Sequence, residues 1–213
     1  WLWCDLETTG LDPSAPNFGI LEIAAVVTDC DLNVKDSLHL IVHQSDEVIA
    51  GSSNWCKERF CRQLEGGNDL FPQCQLSAIS EEMAGIHLRD FIGRHVVSRA
   101  PEENPRRKLL QQAQFPSSEA DPSRERHRFY RVLLAGTSVY FDRGVLLDKY
   151  PYLRDYIGHK VIDVTSILEA TRRWRPDVSR TIGVPSGVHR ALPDVLETLK
   201  LGKLLWRTCF VPG

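Results

Sequence analysis

The sequence predicts an α/β fold, a mixed β-sheet flanked by helices. Three observations carry that prediction. An apolar run opens the chain, two further strand-like runs follow it across turn signals, and from Tyr130 onward strand and helix patterns alternate. Three meandering strands followed by alternating units is the order expected of a mixed sheet with helices packed on it.

Each element follows from its local pattern. Trp1-Leu2-Trp3-Cys4-Asp5-Leu6-Glu7 has few turn signals before Thr8 and reads as a buried strand. Ile20 to Thr28 reads as a second strand and roughly Ser37 to His43 as a third, joined by the turn Asp29-Cys30-Asp31-Leu32-Asn33. Residues 54–64 and 77–98 carry helical patterning. The segment from about 99 to 128 holds Pro101, Pro105, Pro116 and Pro122 and the basic cluster Arg106-Arg107-Lys108, with little periodicity. It reads as a flexible insertion within a single domain spanning 1–213. Arg131 to Ser138 is another apolar strand, followed by a helix through Tyr150 that carries Asp142 near its start. A strand near Lys160 to Val164, a helix from about Thr165 to Trp174 and a Gly- and Pro-rich loop come next. Apolar spacing at Val195, Leu196, Leu199 and Leu204 marks the last helix, and Pro193 fits its first turn, where no N–H partner is lost.

Composition bounds the function. At 213 residues and 42% apolar content, one compact domain with a core is expected. A net charge of −2 gives no global basic field for holding long nucleic acid, which fits short substrates better than long polymers. Cys4, Cys30, Cys56, Cys61, Cys74 and Cys209 form neither a Cys-x-x-Cys pair nor a zinc-ligand spacing. They read mostly as buried thiols, and so place the protein in a reducing compartment, cytosol or an organelle matrix. No uninterrupted apolar stretch reaches the ~18 residues of a membrane span; no signal peptide is visible, but the chain opens inside its first strand, and any N-terminal extension, a transit peptide included, would lie before it.

Asp5 and Glu7 carry the chemistry. Residues two apart on a strand share a face, so both carboxylates project into one spot. Like charges held together are costly unless a cation lies between them, and hard oxygen ligands suit Mg²⁺ or Mn²⁺. A charged surface strand is the plainer alternative, but surface strands rarely begin Trp-Leu-Trp-Cys. The far end of the chain supplies His189 on a loop and Asp194 in the first turn of the last helix. Asp142 alone would pass for a helix N-cap and Asp194 for a complement to a helix dipole. Together, Asp5, Glu7, Asp142 and Asp194 could hold two divalent ions about 3.5–4 Å apart, the arrangement that hydrolyses phosphodiesters. His189, with an ordinary pKa near 6.5, could take the proton of the attacking water. His39, His87, His95 and His127 read as solvated or core residues.

These motifs resemble the oligoribonuclease family, DEDD exonucleases whose base is a His. The resemblance runs through Asp5-Leu6-Glu7-Thr8-Thr9-Gly10-Leu11-Asp12-Pro13, Ile20-Leu21-Glu22-Ile23-Ala24, His43-Gln44-Ser45-Asp46-Glu47, Val164-Thr165 through Arg172-Arg173-Trp174-Arg175-Pro176, and His189 to Asp194. It implies a ribonuclease-H-like (DnaQ-like) fold and a 3′-to-5′ exoribonuclease that turns very short RNA into nucleoside 5′-monophosphates. It also implies two Mg²⁺ or Mn²⁺ ions and a homodimer in which each protomer completes the other's site.

Substrate-binding residues come from the same resemblance. Leu11 matches an apolar wedge at the 3′ base, and Trp55 an aromatic near the bases, with a core Trp as its plain alternative. Ser138 and Thr165 match hydroxyls that cap the 5′ phosphate in the family. The family's cap has Arg where this chain has Lys160, and a partner-chain Tyr where it has His159. Lys keeps the charge but loses the bidentate fork on a phosphate. Two rival readings are a DNA-directed exonuclease of the same superfamily and a catalytically silent RNA-binding protein of the same fold.

Overall fold

A computed structural model describes residues 1–96, 131–182 and 187–210. The predicted insertion at about 99–128 lies outside the described residues. Five strands form one sheet: β1 (Leu2–Thr8), β2 (Ile20–Thr28), β3 (Val34–Ile41), β4 (Val132–Gly136) and β5 (Ile157–Asp163), in the order β3-β2-β1-β4-β5. β1 pairs antiparallel with β2 and β2 with β3, whereas β1–β4 and β4–β5 are parallel. The mixed sheet is the one expected.

Alternation along the central strand builds two cores. Leu2, Cys4 and Leu6 of β1 pack with Ala84, Leu88, Phe91 and Ile92 of α4 (Glu81–His95) and Val145 and Leu146 of α5 (Tyr140–Lys149). Trp3 faces the other way, onto Val164 of α6 (Val164–Trp174) and Ala191, Val195 and Leu199 of α8 (Ala191–Leu205). Between α6 and α8 runs a single helical turn, α7 (Pro176–Ser179). Three short helices precede α4: α1 (Asp46–Ala50), α2 (Asn54–Phe60) and α3 (Leu70–Leu76). A third cluster, Leu21, Cys56, Phe60, Leu70, Phe71 and Cys74, seats α2 and α3 against β2. β3 is an edge strand, mostly exposed or half-buried with Leu40 alone buried, in contrast to the almost wholly buried β1 and β2.

Several boundaries differ from the sequence reading. The helix expected over 77–98 starts at Glu81, because Ser80 caps it by accepting from the Met83 N–H. Helix 54–64 stops at Phe60, followed by a 3-10 turn at Gln63–Glu65. The third strand runs Val34–Ile41, and β5 begins three residues earlier than expected, at Ile157. α1 and α3 are too short for periodicity to reveal. Of the cysteines, Cys4, Cys56 and Cys74 are buried as expected, Cys30 is exposed, Cys61 and Cys209 are half-buried, and all six are free thiols.

Candidate active site

The two faces of β1 decide where the acids go. Asp5 and Glu7 continue the face begun by Trp3, beyond the point where α8 covers that face with apolar residues. The first turn of α8 supplies Asp194, and the loop leading into it supplies His189. Glu7, His189 and Asp194 each present a ligand atom, and these atoms all lie within 4.8 Å of one another. Glu7 is buried, and the other two are half-buried.

Asp142 reaches the same place from the opposite layer. β1 and β4 pair only at Leu2–Leu134 and Trp3–Ala135, and β4 ends at Gly136. The Leu6 N–H, past that ladder, donates to Asp142 Oδ1 at 2.9 Å, so a buried backbone donor is satisfied by a side chain. Asp142 does not cap its helix: Val139 holds that position, and Asp142 lies in the first turn at 5% exposure.

Electrostatics show how closely the carboxylates crowd. Burial, then the charges of Asp142, Glu7, Asp194 and Glu22, push the Asp5 carboxyl far above its ordinary range. Burial and the neighbouring Glu22, Asp194 and Asp142 raise Glu7 to about 8. Burial raises Asp142 to about 7 against the opposing Leu6 hydrogen bond, and burial also lifts Asp194. These acids are uncomfortable as a set of bare anions. A group of oxygen donors whose pKa values are raised for want of a counter-charge, with one imidazole beside them, suits hard divalent cations. His189 shifts the other way, lowered by burial and then by the Arg59 charge, with Asp194 opposing. A neutral imidazole beside the acids is suited to accept a proton.

Sequence reasoning missed the residues that hold this end of α8. Glu22 on β2, opposite Glu7 in the ladder, is fully buried. It accepts from Arg190 Nε (3.2 and 3.1 Å) and Nη2 (3.1 Å), from the Ala191 N–H (3.0 Å), and pairs with His39 Nε2 at 2.5 Å. Burial alone would raise its pKa, but these bonds outweigh it and hold the carboxylate below its ordinary range. His39 is therefore a partner of a buried acid rather than a solvated or core residue. The available signal was a lone acid inside an apolar strand, which requires a partner.

The predicted substrate residues fall into two groups. Trp55 is 52% exposed rather than a core residue, and its ring stands perpendicular to that of His189 with centroids 4.9 Å apart. Leu11, 85% exposed, sits in the loop after β1, which the Ser53 N–H ties to the start of α2 through the Thr9 carbonyl (2.9 Å). Ser138 and Thr165 come together: their hydroxyls are 3.3 Å apart, and the Ser138 N–H donates to Thr165 Oγ1 and Asp163 Oδ1 (both 3.1 Å). His159 and Lys160 are exposed on β5, the sheet edge. At about 3.3 Å per strand residue, the Lys160 backbone lies about 10 Å along the strand from that of Asp163.

An exonuclease family model, RNase_T, matches residues 2–59. The oligoribonuclease of Mannheimia succiniciproducens is 32% identical over 199 residues, covering 93% of this chain and 86% of that protein. The chain belongs to the oligoribonuclease family. The Mycobacterium avium oligoribonuclease is 30% identical across 100% of the chain and 83% of its own length. A solved exonuclease I superposes with a TM-score of 0.64 at 15% identity, over 97% of this chain and 40% of that one. That likeness speaks for the DnaQ-like, ribonuclease-H-like fold alone. Among the described residues no helix is long and apolar enough to cross a membrane.

Proposed function

We propose that this oligoribonuclease-family chain is a metal-dependent 3′-to-5′ exoribonuclease that degrades RNA of two to a few nucleotides to nucleoside 5′-monophosphates. One observation carries the reading: Glu7 from the first strand meets Asp194 of α8 and His189 from the loop leading into it within 4.8 Å, where buried carboxylates crowd together. Asp5, Glu7, Asp142 and Asp194 hold two Mg²⁺ or Mn²⁺ ions. When bound, such ions lower the pKa of water and neutralise charge on the attacking and leaving oxygens. His189 accepts the proton of the attacking water at its imidazole, which its depressed pKa keeps neutral near pH 7. Trp55 and the exposed Leu11 flank the terminal bases, and stacking on the Trp ring is worth about 1–3 kcal/mol per base and indifferent to sequence. Ser138 and Thr165 hold the 5′ phosphate, with Lys160 as the cap's cation. The active unit is a homodimer in which His159 reaches across from a second copy. The six free thiols suit a reducing compartment, cytoplasm or mitochondrial matrix.

Labelled RNAs of two, five and ten nucleotides, and a single-stranded DNA, incubated with and without Mg²⁺ or Mn²⁺, test the reading. Metal-dependent release of 5′-monophosphates from the 3′ end of the short RNAs is expected. Preferential DNA cleavage would move the chain to a DNA-directed role. Binding without cleavage under every metal condition would make it a silent RNA binder.

A further inference from the structure

His189 adopts a left-handed backbone at φ 54°, an arrangement that costs a non-glycine residue about 1–2 kcal/mol and persists only where the surroundings enforce it. The enforcing contacts come from one side. Asn68 Nδ2 donates to the His189 carbonyl at 2.8 Å and to the Val188 carbonyl at 3.3 Å. Arg59 Nη2 donates to the Gly187 carbonyl. The next residue, Arg190, is clamped by Glu22, by Gln73 Oε1 at 2.8 Å and by the Asn68 carbonyl at 3.4 Å. Three consecutive carbonyls and the following guanidinium are thus fixed by the α2–α3 segment and β2, elements remote in sequence from α8.

We propose that Asn68 and Arg190 are positioning residues for the reaction, acting through His189: they lock its strained backbone so that the imidazole stays beside Glu7 and Asp194. The inference rests on the reading of His189 as the base. Neither side chain need touch RNA. The clamp sets where the ring begins, and misplacing a catalytic group by about 1 Å can cost about 10²-fold in rate.

Asn68→Asp separates the role from simple folding. Asn68 Oδ1 also accepts from the Leu70 N–H at 3.2 Å, and Asp retains that acceptor while losing the donor to His189. The expected result is a kcat on a diribonucleotide lowered about 10–100-fold with KM within about twofold, since outer partners of reacting groups typically carry that much. In a His189→Ala background the same change is expected to add nothing, because its effect runs through the missing ring. Arg190→Lys, which keeps a cation beside Glu22 but not the fork, is expected to lose less than Arg190→Ala and serves equally should Asn68→Asp fail to fold. A wild-type kcat for both Asn68→Asp and Arg190→Lys, or equal losses with and without His189, overturns the clamp. Full activity in His189→Ala alone overturns the base assignment instead.

Discussion

In the proposed mechanism Asp5 and His189 carry the sharpest expectations, because each is a single group with a single task. Asp5→Ala is expected to lower kcat by about 10³-fold or more on a short RNA, since a ligand to the catalytic ions goes. His189→Ala should lose a large share of the rate while circular dichroism stays unchanged. The raised acids add a pH prediction. Glu7 rests near 8 and Asp142 near 7 in the folded chain, against about 4 for such groups unfolded. A carboxyl whose folded pKa is raised keeps a proton that the unfolded chain has released. The metal-free fold therefore loses stability as pH climbs from about 4 toward 8. Divalent ions need those carboxylates ionised, so their apparent affinity climbs over the same window. Melting curves with and without Mn²⁺ should show a larger upward shift at pH 8 than at pH 6. Equal shifts would mean the ions do not displace protons from these acids.

At the scale of elements, the turn out of β4 is a tight junction near the site. A Cβ on Gly136 would come 2.7 Å from the Cys4 carbonyl and about as close to Val139, so the parallel strands would have to separate. Gly136→Ala is expected to cost about 1–3 kcal/mol, read as a lowered midpoint in urea, with activity falling alongside because Ser138 and Asp142 follow from that turn. How readable these elements were depended on the range of the cause. β1 was legible because its own alternation fixes which way Asp5 and Glu7 face. α6 and α8 were legible from apolar spacing. β5 was misplaced because its first half, Gly158-His159-Lys160, is polar and edge-exposed, so the burial that marks a strand is missing. The Arg190–Glu22 contact could not be read at all. It joins residues far apart in the chain, and only the folded sheet makes them neighbours.

For the whole molecule, the open question of substrate length turns on charge geometry at an edge. His159 and Lys160 stand in solvent on β5, and in the proposed cap Lys160 serves its own chain's Ser138 and Thr165 while His159 reaches a second copy. Lys160→Arg restores a bidentate fork and is expected to raise kcat/KM on a dinucleotide about tenfold over that on a ten-nucleotide RNA, the worth of one charge-assisted bond. Light scattering of the same samples should report a dimer. A monomer that is fully active on dinucleotides would remove the second copy from the site.

The proposed centre joins β1 to α8, with Glu7 on one and Asp194 on the other. A ribosome-bound chain with α8 still in the exit tunnel would therefore hold only part of the proposed ligand set. Cutting power would wait for α8 to dock, and a translation product truncated before it is expected to be inert toward RNA.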